Sequence, residues 1–330
     1  MNDPILLHLI RISVILGIFL GCVAYIVWVE RKVLGHIQIR VGPKRVGPYG
    51  LLQPIADVVK LVSKEDLTPP NAHQWLFRLA PVIAFVPALL SMAVIPFGDT
   101  VRILGRDVRI GIADINVGLL YVFAMSSMGV FGIALAGWSS NNKYSLMGSL
   151  RSSAQLISYE VSLGLSVLGV VLLAGSFSLR EIVEAQARLP FVVLQPVGFL
   201  LFIMASSAEI ARIPFDLPEA EAELVAGFHT EYSSMKFAMF FMAEYANLVT
   251  VSAMAVTLFL GGWQGPFADG PHWFAVKAAA MLFFFIWVRG TLPRYRYDQL
   301  MRFGWKFLLP LALLNLLATA LAVVIWGGEA

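Results

Sequence analysis

Long, uninterrupted apolar blocks dominate the chain. Eight of them have the roughly 20 residues that a helix needs to cross about 30 Å of hydrocarbon. Their apolar residues run continuously and do not alternate with polar ones, as they would in bilayer-spanning strands. The pattern predicts an all-α fold, a polytopic membrane helix bundle that forms a single domain over 1–330. The predicted spans are 5–29, 75–97, 113–137, 153–176, 190–210, 237–261, 273–289 and 307–327.

A shorter segment, 51–64, has a different pattern. Its apolar residues recur at helical spacing, while Asp57, Lys60 and Lys64 fall among or opposite them. The segment is too short to cross a bilayer. It therefore predicts a short amphipathic helix that lies on the inner membrane interface.

Composition supports the membrane assignment and narrows the chemistry. The chain is 58% hydrophobic and 14% charged, whereas a soluble domain has about 25% charged residues. Cys22 is the only cysteine, which excludes an intramolecular disulfide, a thiolate zinc site and an iron–sulfur cluster held by this chain alone. The histidines show no metal-ligand spacing, so we assign no metal site.

The basic residues predict the orientation of the bundle. With the N-terminus outside, the loops 30–74, 138–152, 211–236 and 290–306 share one side and hold fifteen Lys and Arg residues, against five in the loops of the other side. Inner loops of membrane proteins are enriched in Lys and Arg. We therefore expect both termini to be periplasmic. The first apolar block lacks the basic flank of a signal peptide, so we expect it to be retained.

Acidic residues lie where a membrane disfavours them. Glu30 ends the first predicted span, and Glu160 and Glu244 lie about two turns inside two others. The segment 208–232 contains several more carboxylates. Each could be a structural ion pair, such as Glu209 with Arg212 one helical turn on. Taken together, the acids favour a proton or polar pathway, because unpaired charges at this depth are costly.

The loop 30–50 contains the tripeptide Val-Gly-Pro twice, at 41–43 and 46–48. Gly-Pro pairs favour tight, irregular turns, and here they present Arg40, Lys44 and Arg45. The loop lacks the glycine pattern of a phosphate-binding loop, so we reject a nucleotide site. Binding of anionic lipid headgroups and docking onto an acidic partner remain as alternatives.

Five segments carry a family resemblance. They are VERK at 29–32, GPKRVGPYGLLQPIADVVKL at 42–61, SYE at 158–160, AEIARIPFDLPEAEAELVAGFHTEYS at 208–233 and RGTLPRYRYDQLMRFGWKFLLPL at 289–311. From about residue 20 to residue 320 the chain resembles the H subunit, the quinone-site membrane subunit, of the proton-pumping NADH:quinone oxidoreductase, respiratory complex I.

The resemblance implies a membrane subunit of a proton-translocating enzyme, with no complete active site in this chain alone. It would form the entrance tunnel and part of the chamber for quinone, framed by the first and sixth spans and helix 51–64. It would couple quinone reduction to proton translocation and dock the hydrophilic arm. Its partners would be the other membrane and hydrophilic-arm subunits, quinone and membrane lipid, but no nucleic acid. Flavin and iron–sulfur clusters would lie in partner subunits, with no metal or covalent cofactor in this one.

The same resemblance implies roles for individual residues. The carboxylates of the proton-coupling path would be Glu30, Asp57, Glu160, Glu209, Asp216, Glu219, Glu221, Glu223 and Glu244. The basic residues of the quinone chamber or docking face would be Arg31, Arg40, Arg45, Lys60, Arg212, Arg289, Arg294 and Arg296.

Two other functional classes compete with this interpretation. The related membrane subunit of a hydrogenase would lack a quinone tunnel, and the Gly-Pro loop and the intact RYDQLM segment argue against it. A secondary transporter would show two related halves with interrupted helices at matching places, and the chain has no such symmetry. We expect a bacterial inner membrane, with the mitochondrial inner membrane as the alternative.

Overall fold

Seven helices of 18 or more residues are long and apolar enough to cross a membrane in the part of the chain that the structure describes. The structure, a computed structural model, describes residues 5–103, 106–216, 226–267 and 269–326. The all-α, polytopic fold class is confirmed, because the long helices pack side by side into one bundle.

Twelve α-helices occur among these residues. They are α1 (Ile5–Ile37), α2 (Gln53–Ser63), α3 (Gln74–Ser91), α4 (Gly118–Ser139), α5 (Lys143–Ala174), α6 (Leu179–Ala185), α7 (Phe191–Leu194), α8 (Pro196–Glu209), α9 (Ser234–Phe259), α10 (Pro271–Thr291), α11 (Tyr297–Phe303) and α12 (Leu309–Trp326). A π-helical turn, Gly304–Leu308, joins α11 to α12. One antiparallel hairpin, β1 (Thr100–Ile103) with β2 (Arg106–Arg109), was not predicted and lies in the loop between α3 and α4.

The predicted span 190–210 is interrupted. It consists of α7 and the 14-residue α8, and α8 alone reaches only about 21 Å at 1.5 Å per residue. The break lies at Gln195, whose φ of −131° and ψ of 61° are not helical. Pro196 explains it, because proline supplies no backbone N–H and disfavours the helical conformation of the residue before it. The pair α7–α8 thus takes the place of the predicted fifth span, 190–210.

Two other helices are longer than predicted. Helix α1 continues to Ile37, so Glu30 lies inside the helix and not at its end. Helix α5 begins at Lys143 instead of 153, after Asn142 accepts a hydrogen bond from the backbone N–H of Tyr144. Its first turns are rich in serine and fall within the predicted loop 138–152, yet Ser145 and Ser152 are completely buried. Their hydroxyls face the bundle and not water.

The closest contacts between helices show which helices form the centre of the bundle. The α4 backbone approaches α3 so closely that a Cβ at Gly132 would lie 2.7 Å from the backbone nitrogen of Ala84. Helix α5 packs between α4 and α8, and α9 packs against α3. Large side chains such as Phe77, Tyr159 and Leu248 are fully buried among these helices. The acidic residues of α5, α8 and α9 therefore face one another inside the bundle.

The loops predicted to share one side lie at one end of the bundle. The backbone N–H of His73 donates to the carbonyl of Ser139 at 2.9 Å, and Asn142 donates to Glu231 at 2.6 Å. We call this end, with loops 38–52, 64–73, 140–142, 210–216, 226–233 and 292–296, the basic end. Helix α2 also lies there and confirms the predicted amphipathic helix, since Ile55, Val58, Val59 and Val62 on it are exposed.

The orientation of the bundle can be tested by thiol labelling. In a variant with Cys22→Ser, a cysteine at Lys44 probes the basic end and one at Arg188 probes the opposite end, and both positions are exposed. Because basic loops are retained inside, we expect an impermeant thiol reagent to label Arg188→Cys but not Lys44→Cys in intact cells. Both should react in permeabilised cells. Labelling of Lys44→Cys from outside would reverse the topology.

Candidate functional site

Arg212 is the centre of a buried ionic cluster at the basic end. Its Nη1 donates to Glu30 Oε2 at 2.6 Å, and its Nε donates to Glu244 Oε1 at 2.9 Å. Arg289 donates to the other oxygen of Glu30. The side chains of Arg212 and Glu30 are only 6% and 4% exposed. The cluster therefore joins α1, α9 and α10 to the loop that follows α8.

The electrostatics of the cluster are balanced. Burial opposes the charge on Arg212, but the carboxylates of Glu244 and Glu30 outweigh it and raise the pKa of the guanidinium above its usual value. The same guanidinium lies 4.1 Å from the ring centroid of Tyr245, a favourable cation–π geometry. With two carboxylates and two guanidinium groups, the formal charges cancel. Because Arg212 and Glu30 are the buried members, removal of either one leaves the other as an uncompensated buried charge.

A second ion pair extends the site along the basic end. Arg294 donates to Asp216 Oδ2 at 2.8 Å, and the Asp216 side chain is 5% exposed. Next to it, the backbone N–H of Tyr295 donates to the carbonyl of Pro214 at 3.0 Å. The segment 292–296 before α11 is thus held against the loop 210–216, which we call the acidic loop. Arg294 and Asp216, both predicted from the sequence, therefore lie at the site.

A cavity of about 100 Å³ leads from this cluster into the bundle. Three carboxylates line it, from Glu160 on α5, Glu209 on α8 and Glu244 on α9, and Asn247 and His229 add polar groups. A space of this volume holds a few water molecules at about 30 Å³ each. Glu244 belongs to both the cavity and the Arg212 cluster, so it joins the two.

Two serines of α4 hold the deeper carboxylates. Ser126 donates to Glu209 Oε1, and Ser127 donates to Glu160 Oε1. The alternative of an ion pair between Glu209 and Arg212 is not realised, because Arg212 donates to the carboxylates of Glu30 on α1 and Glu244 on α9 instead. Adjacent residues on a helix point about 100° apart, so one helix reaches two carboxylates on different neighbours.

His229 was assigned no role from the sequence, yet it lines the cavity. Its ring packs edge-on against Phe228 and lies 5.4 Å from Phe237. Burial lowers the pKa of His229 to about 4. The imidazole is therefore neutral near pH 7, with one nitrogen able to donate and the other able to accept a hydrogen bond.

Basic residues surround a separate, open cavity of about 630 Å³ between α1, the Gly-Pro loop and α2. Its lining includes Arg31, Arg40, Lys44 and Arg45. The loop needs glycine at Gly50, where φ is +79° and a Cβ would lie 2.3 Å from a backbone oxygen of the same loop. These turns keep the basic side chains together at the mouth of the bundle.

Arg31 is the one basic residue of this cavity with a carboxylate partner among the described residues. It donates to Asp57 on α2 at 2.8 Å, and Gln53 donates to the same carboxylate at 3.1 Å. Asp57 thus ties α2 to α1 through Arg31, which lines the cavity. Its carboxylate is separate from the Arg212 cluster and from the cavity that contains Glu160 and Glu209.

The remaining predicted residues lie apart. Lys60 is exposed on α2, and the exposed Arg296 lies 3.4 Å from Asp298, outside the buried cluster. Glu219, Glu221 and Glu223 lie outside the described residues. Within the described ranges, no group of three or more His, Cys, Asp or Glu side chains is arranged to hold a metal ion.

Besides His229, sequence reasoning missed four residues at the cavity and cluster: Ser126, Ser127, Tyr245 and Asn247. A serine pair inside an apolar span is one signal that could have found the first two. Spacing is another, because Glu244 and Asn247 lie three residues apart and therefore on one face of α9.

Comparison with known proteins identifies the family. The family described as NADH dehydrogenase matches residues 10–320. The NADH-quinone oxidoreductase H subunit 2 of Geobacter sulfurreducens is 58% identical over 315 residues, 96% of each chain. The H subunit of the same enzyme in Syntrophotalea carbinolica is 55% identical over 331 residues, 99% of this chain and 100% of the relative. The chain belongs to the H-subunit family of NADH-quinone oxidoreductase.

Family membership confirms the expected class of protein and its partner subunits. The chain is a multi-pass membrane subunit of an oxidoreductase complex, and the other subunits of that complex are its partners. A further relative, the H subunit 1 of Geobacter metallireducens, is 56% identical over 96% of each chain. These relatives agree with the resemblance and not with a hydrogenase subunit or a transporter.

Substitution of Arg212 tests the energetic role of the cluster. We expect Arg212→Gln to destabilise the subunit by about 3–5 kcal/mol, because it removes the cation that the buried Glu30 shares with the partly exposed Glu244. Arg31→Gln is the matched control, and since the side chain of Arg31 is 47% exposed, we expect a loss below about 1 kcal/mol. The thermal midpoint of the solubilised complex and the amount of subunit it retains measure the difference. Equal effects of the two substitutions would contradict the assignment.

Proposed function

We propose that this chain forms the entrance tunnel and part of the chamber for quinone, and that it couples quinone reduction to proton translocation. NADH would be oxidised in partner subunits that hold flavin and iron–sulfur clusters. The hydrophilic arm would dock on the basic end, where Arg40, Lys44 and Arg45 are exposed. The names of the relatives supply the substrates, NADH and quinone.

One observation carries the coupling proposal. The ionic cluster of Glu30, Arg212, Glu244 and Arg289 is continuous, through Glu244, with the cavity that contains Glu160 and Glu209. Two-electron reduction of a quinone to quinol consumes two protons. Uptake of those protons at the basic end changes the charge that the cluster faces, and a polar cavity behind it provides groups that can exchange protons. Buried carboxylates in a membrane generally mark such pathways.

The tunnel entrance follows from the elements around α2. The hydroxyl of Ser234, at the start of α9, donates to the carbonyl of Leu61 on α2 at 3.0 Å. On α2, Val58 and Val62 expose apolar surface of the kind that borders lipid. An isoprenoid tail needs such apolar walls. We therefore assign the entrance to the space framed by α1, α2 and α9.

The proposal also includes the orientation of the bundle and the membrane in which it lies. The basic end faces the cytoplasm and both termini face the periplasm, because Lys and Arg are enriched in inner loops. The membrane is the bacterial inner membrane, in keeping with the bacterial relatives.

Photolabelling tests the quinone contact. A photoreactive quinone analogue should crosslink to residues 30–64 or to the first half of α9, because these segments frame the proposed entrance. An excess of unmodified quinone should abolish the crosslinks, and peptide mass spectrometry locates them. Crosslinks confined to α10 and α12 would contradict the proposed tunnel.

Amide substitutions test the coupling role. Glu160→Gln and Glu209→Gln keep the shape of the side chain and an oxygen that can accept from Ser127 or Ser126, but they cannot titrate. We expect the complex to assemble and to oxidise NADH with an artificial acceptor at normal rates. Quinone-linked proton pumping should be lost in at least one of the two variants. Pumping is measured by acidification of inverted vesicles that contain the complex.

A matched control separates a general charge effect from the pathway. Glu184 on α6 is 59% exposed at the opposite end of the bundle, 3.4 Å from Arg180. Glu184→Gln should therefore pump normally. Undiminished pumping in Glu160→Gln, in Glu209→Gln and in the double variant would remove both carboxylates from the pathway.

A further inference from the structure

A second, smaller cavity of about 40 Å³ lies on the far side of Glu209 from the Arg212 cluster. It shares Ser126, Glu209 and Asn247 with the larger cavity. Its own polar lining comes from Ser91 on α3 and Thr250 on α9, and the rest is apolar. Glu209 therefore lies between the larger cavity and a smaller, mostly apolar one that contains a few polar groups.

Two buried oxygens at this cavity need partners. Within the described part of the chain, Glu209 Oε2 and Thr250 Oγ1 have no hydrogen-bond partner, and Thr250 is only 5% exposed. Buried polar atoms in folded proteins nearly always have a partner in the protein or in ordered water. Both oxygens belong to residues that line the same small space.

Other hydroxyls of α9 show that Thr250 is exceptional on this helix. Ser252 donates to the carbonyl of Leu248 at 2.8 Å, and Thr257 donates to the carbonyl of Ala253 at 2.9 Å. These are the usual contacts of a buried hydroxyl with the preceding turn of its own helix. Thr250 makes no such contact, so its hydroxyl is available to the cavity.

The polar residues of α9 form a stripe. Glu244, Asn247 and Thr250 are spaced by three residues, which places them on one face. At 1.5 Å per residue the stripe is about 9 Å long. It begins at the Arg212 cluster and runs along both cavities, with the second group of the stripe, Asn247, lining each of them.

We propose that the smaller cavity binds a water molecule that hydrogen-bonds both Glu209 Oε2 and Thr250 Oγ1, and that this water holds the Glu209 carboxyl in place for proton exchange with the Glu160 carboxylate in the larger cavity. A volume of about 40 Å³ admits one water molecule, whose share of liquid volume is about 30 Å³. A proton that leaves the Glu209 carboxyl passes to the carboxylate of Glu160 in the larger cavity, and the bound water keeps both of its own protons. This inference rests on the proposed coupling function.

Thr250 is a positioning residue in this scheme. Its hydroxyl does not change protonation near neutral pH, but it holds the water that orients the Glu209 carboxyl. Thr250→Val keeps the size and branching of the side chain and removes the hydroxyl, whereas Thr250→Ser keeps the hydroxyl. Thr257→Val is the matched control, because Thr257 is also buried on the same helix and its hydroxyl donates to its own helix backbone.

The experiment combines pumping with infrared spectroscopy of the intact complex. The carboxyl band of Glu209 is assigned by its loss in Glu209→Gln. In Thr250→Val we expect that band to shift and quinone-linked pumping to fall at least about tenfold, in line with the loss of a positioned proton-transfer group. NADH oxidation with an artificial acceptor should not change. Thr250→Ser should restore the band and pumping, and Thr257→Val should leave both unchanged.

The outcomes separate this inference from the coupling proposal. If Glu209→Gln abolishes pumping while Thr250→Val leaves the band and the pumping unchanged, the water site is refuted and the coupling proposal stands. If Glu209→Gln pumps normally, the role of the water in proton transfer is refuted, whereas the coupling proposal fails only if Glu160→Gln and the double variant also pump normally. Should Thr250→Val not assemble, Thr250→Ala replaces it. An unshifted Glu209 band in Thr250→Ala would then refute the site.

Discussion

The removal of the Arg212 guanidinium from water constrains the whole basic end of the molecule. The free-energy cost of burying such a charge is offset only when several carboxylate contacts have good geometry. Here the contacts come from Glu30 on α1 and Glu244 on α9, and Arg289 on α10 shares Glu30. Three long helices must therefore keep their relative positions at this end. The Gly-Pro loop, α2 and the acidic loop are built on that frame.

The carboxylates are held in two different ways. Glu30 and Glu244 contact guanidinium groups, whereas Glu160 and Glu209 accept hydrogen bonds from serine hydroxyls. A guanidinium keeps its proton at any physiological pH, but a hydroxyl can turn to donate or accept. The site thus passes from a fixed ionic arrangement at the basic end to an adaptable polar one inside the bundle. This order suits a path in which charge changes at one end and protons move behind it.

Hydropathy predicts the long helices well, because lipid selects for continuous apolar side chains. It fails at Gln195, where the decisive fact is the missing N–H of Pro196 and not the polarity of a side chain. It fails again at the start of α5, since buried serines resemble loop residues when only composition is considered. Glu30 and Glu244 were predicted as site residues, but their pairing with Arg212 could not be assigned from the sequence, for a further reason. Local spacing proposed Glu209, three residues away, while the true partners lie at positions 30 and 244, where only the packing of the bundle brings them near.

The interruption between α7 and α8 has a consequence for how the protein is made. Non-helical backbone at bilayer depth must be covered by protein, not lipid. The Gln195 side chain packs against Gly169 of α5 and donates to Thr319 of α12 at 2.6 Å. Because Thr319 follows Gln195 by 124 residues, this polar break has its partner only after α12 has been synthesised. During biogenesis α12 therefore closes over a site that the preceding helices leave open.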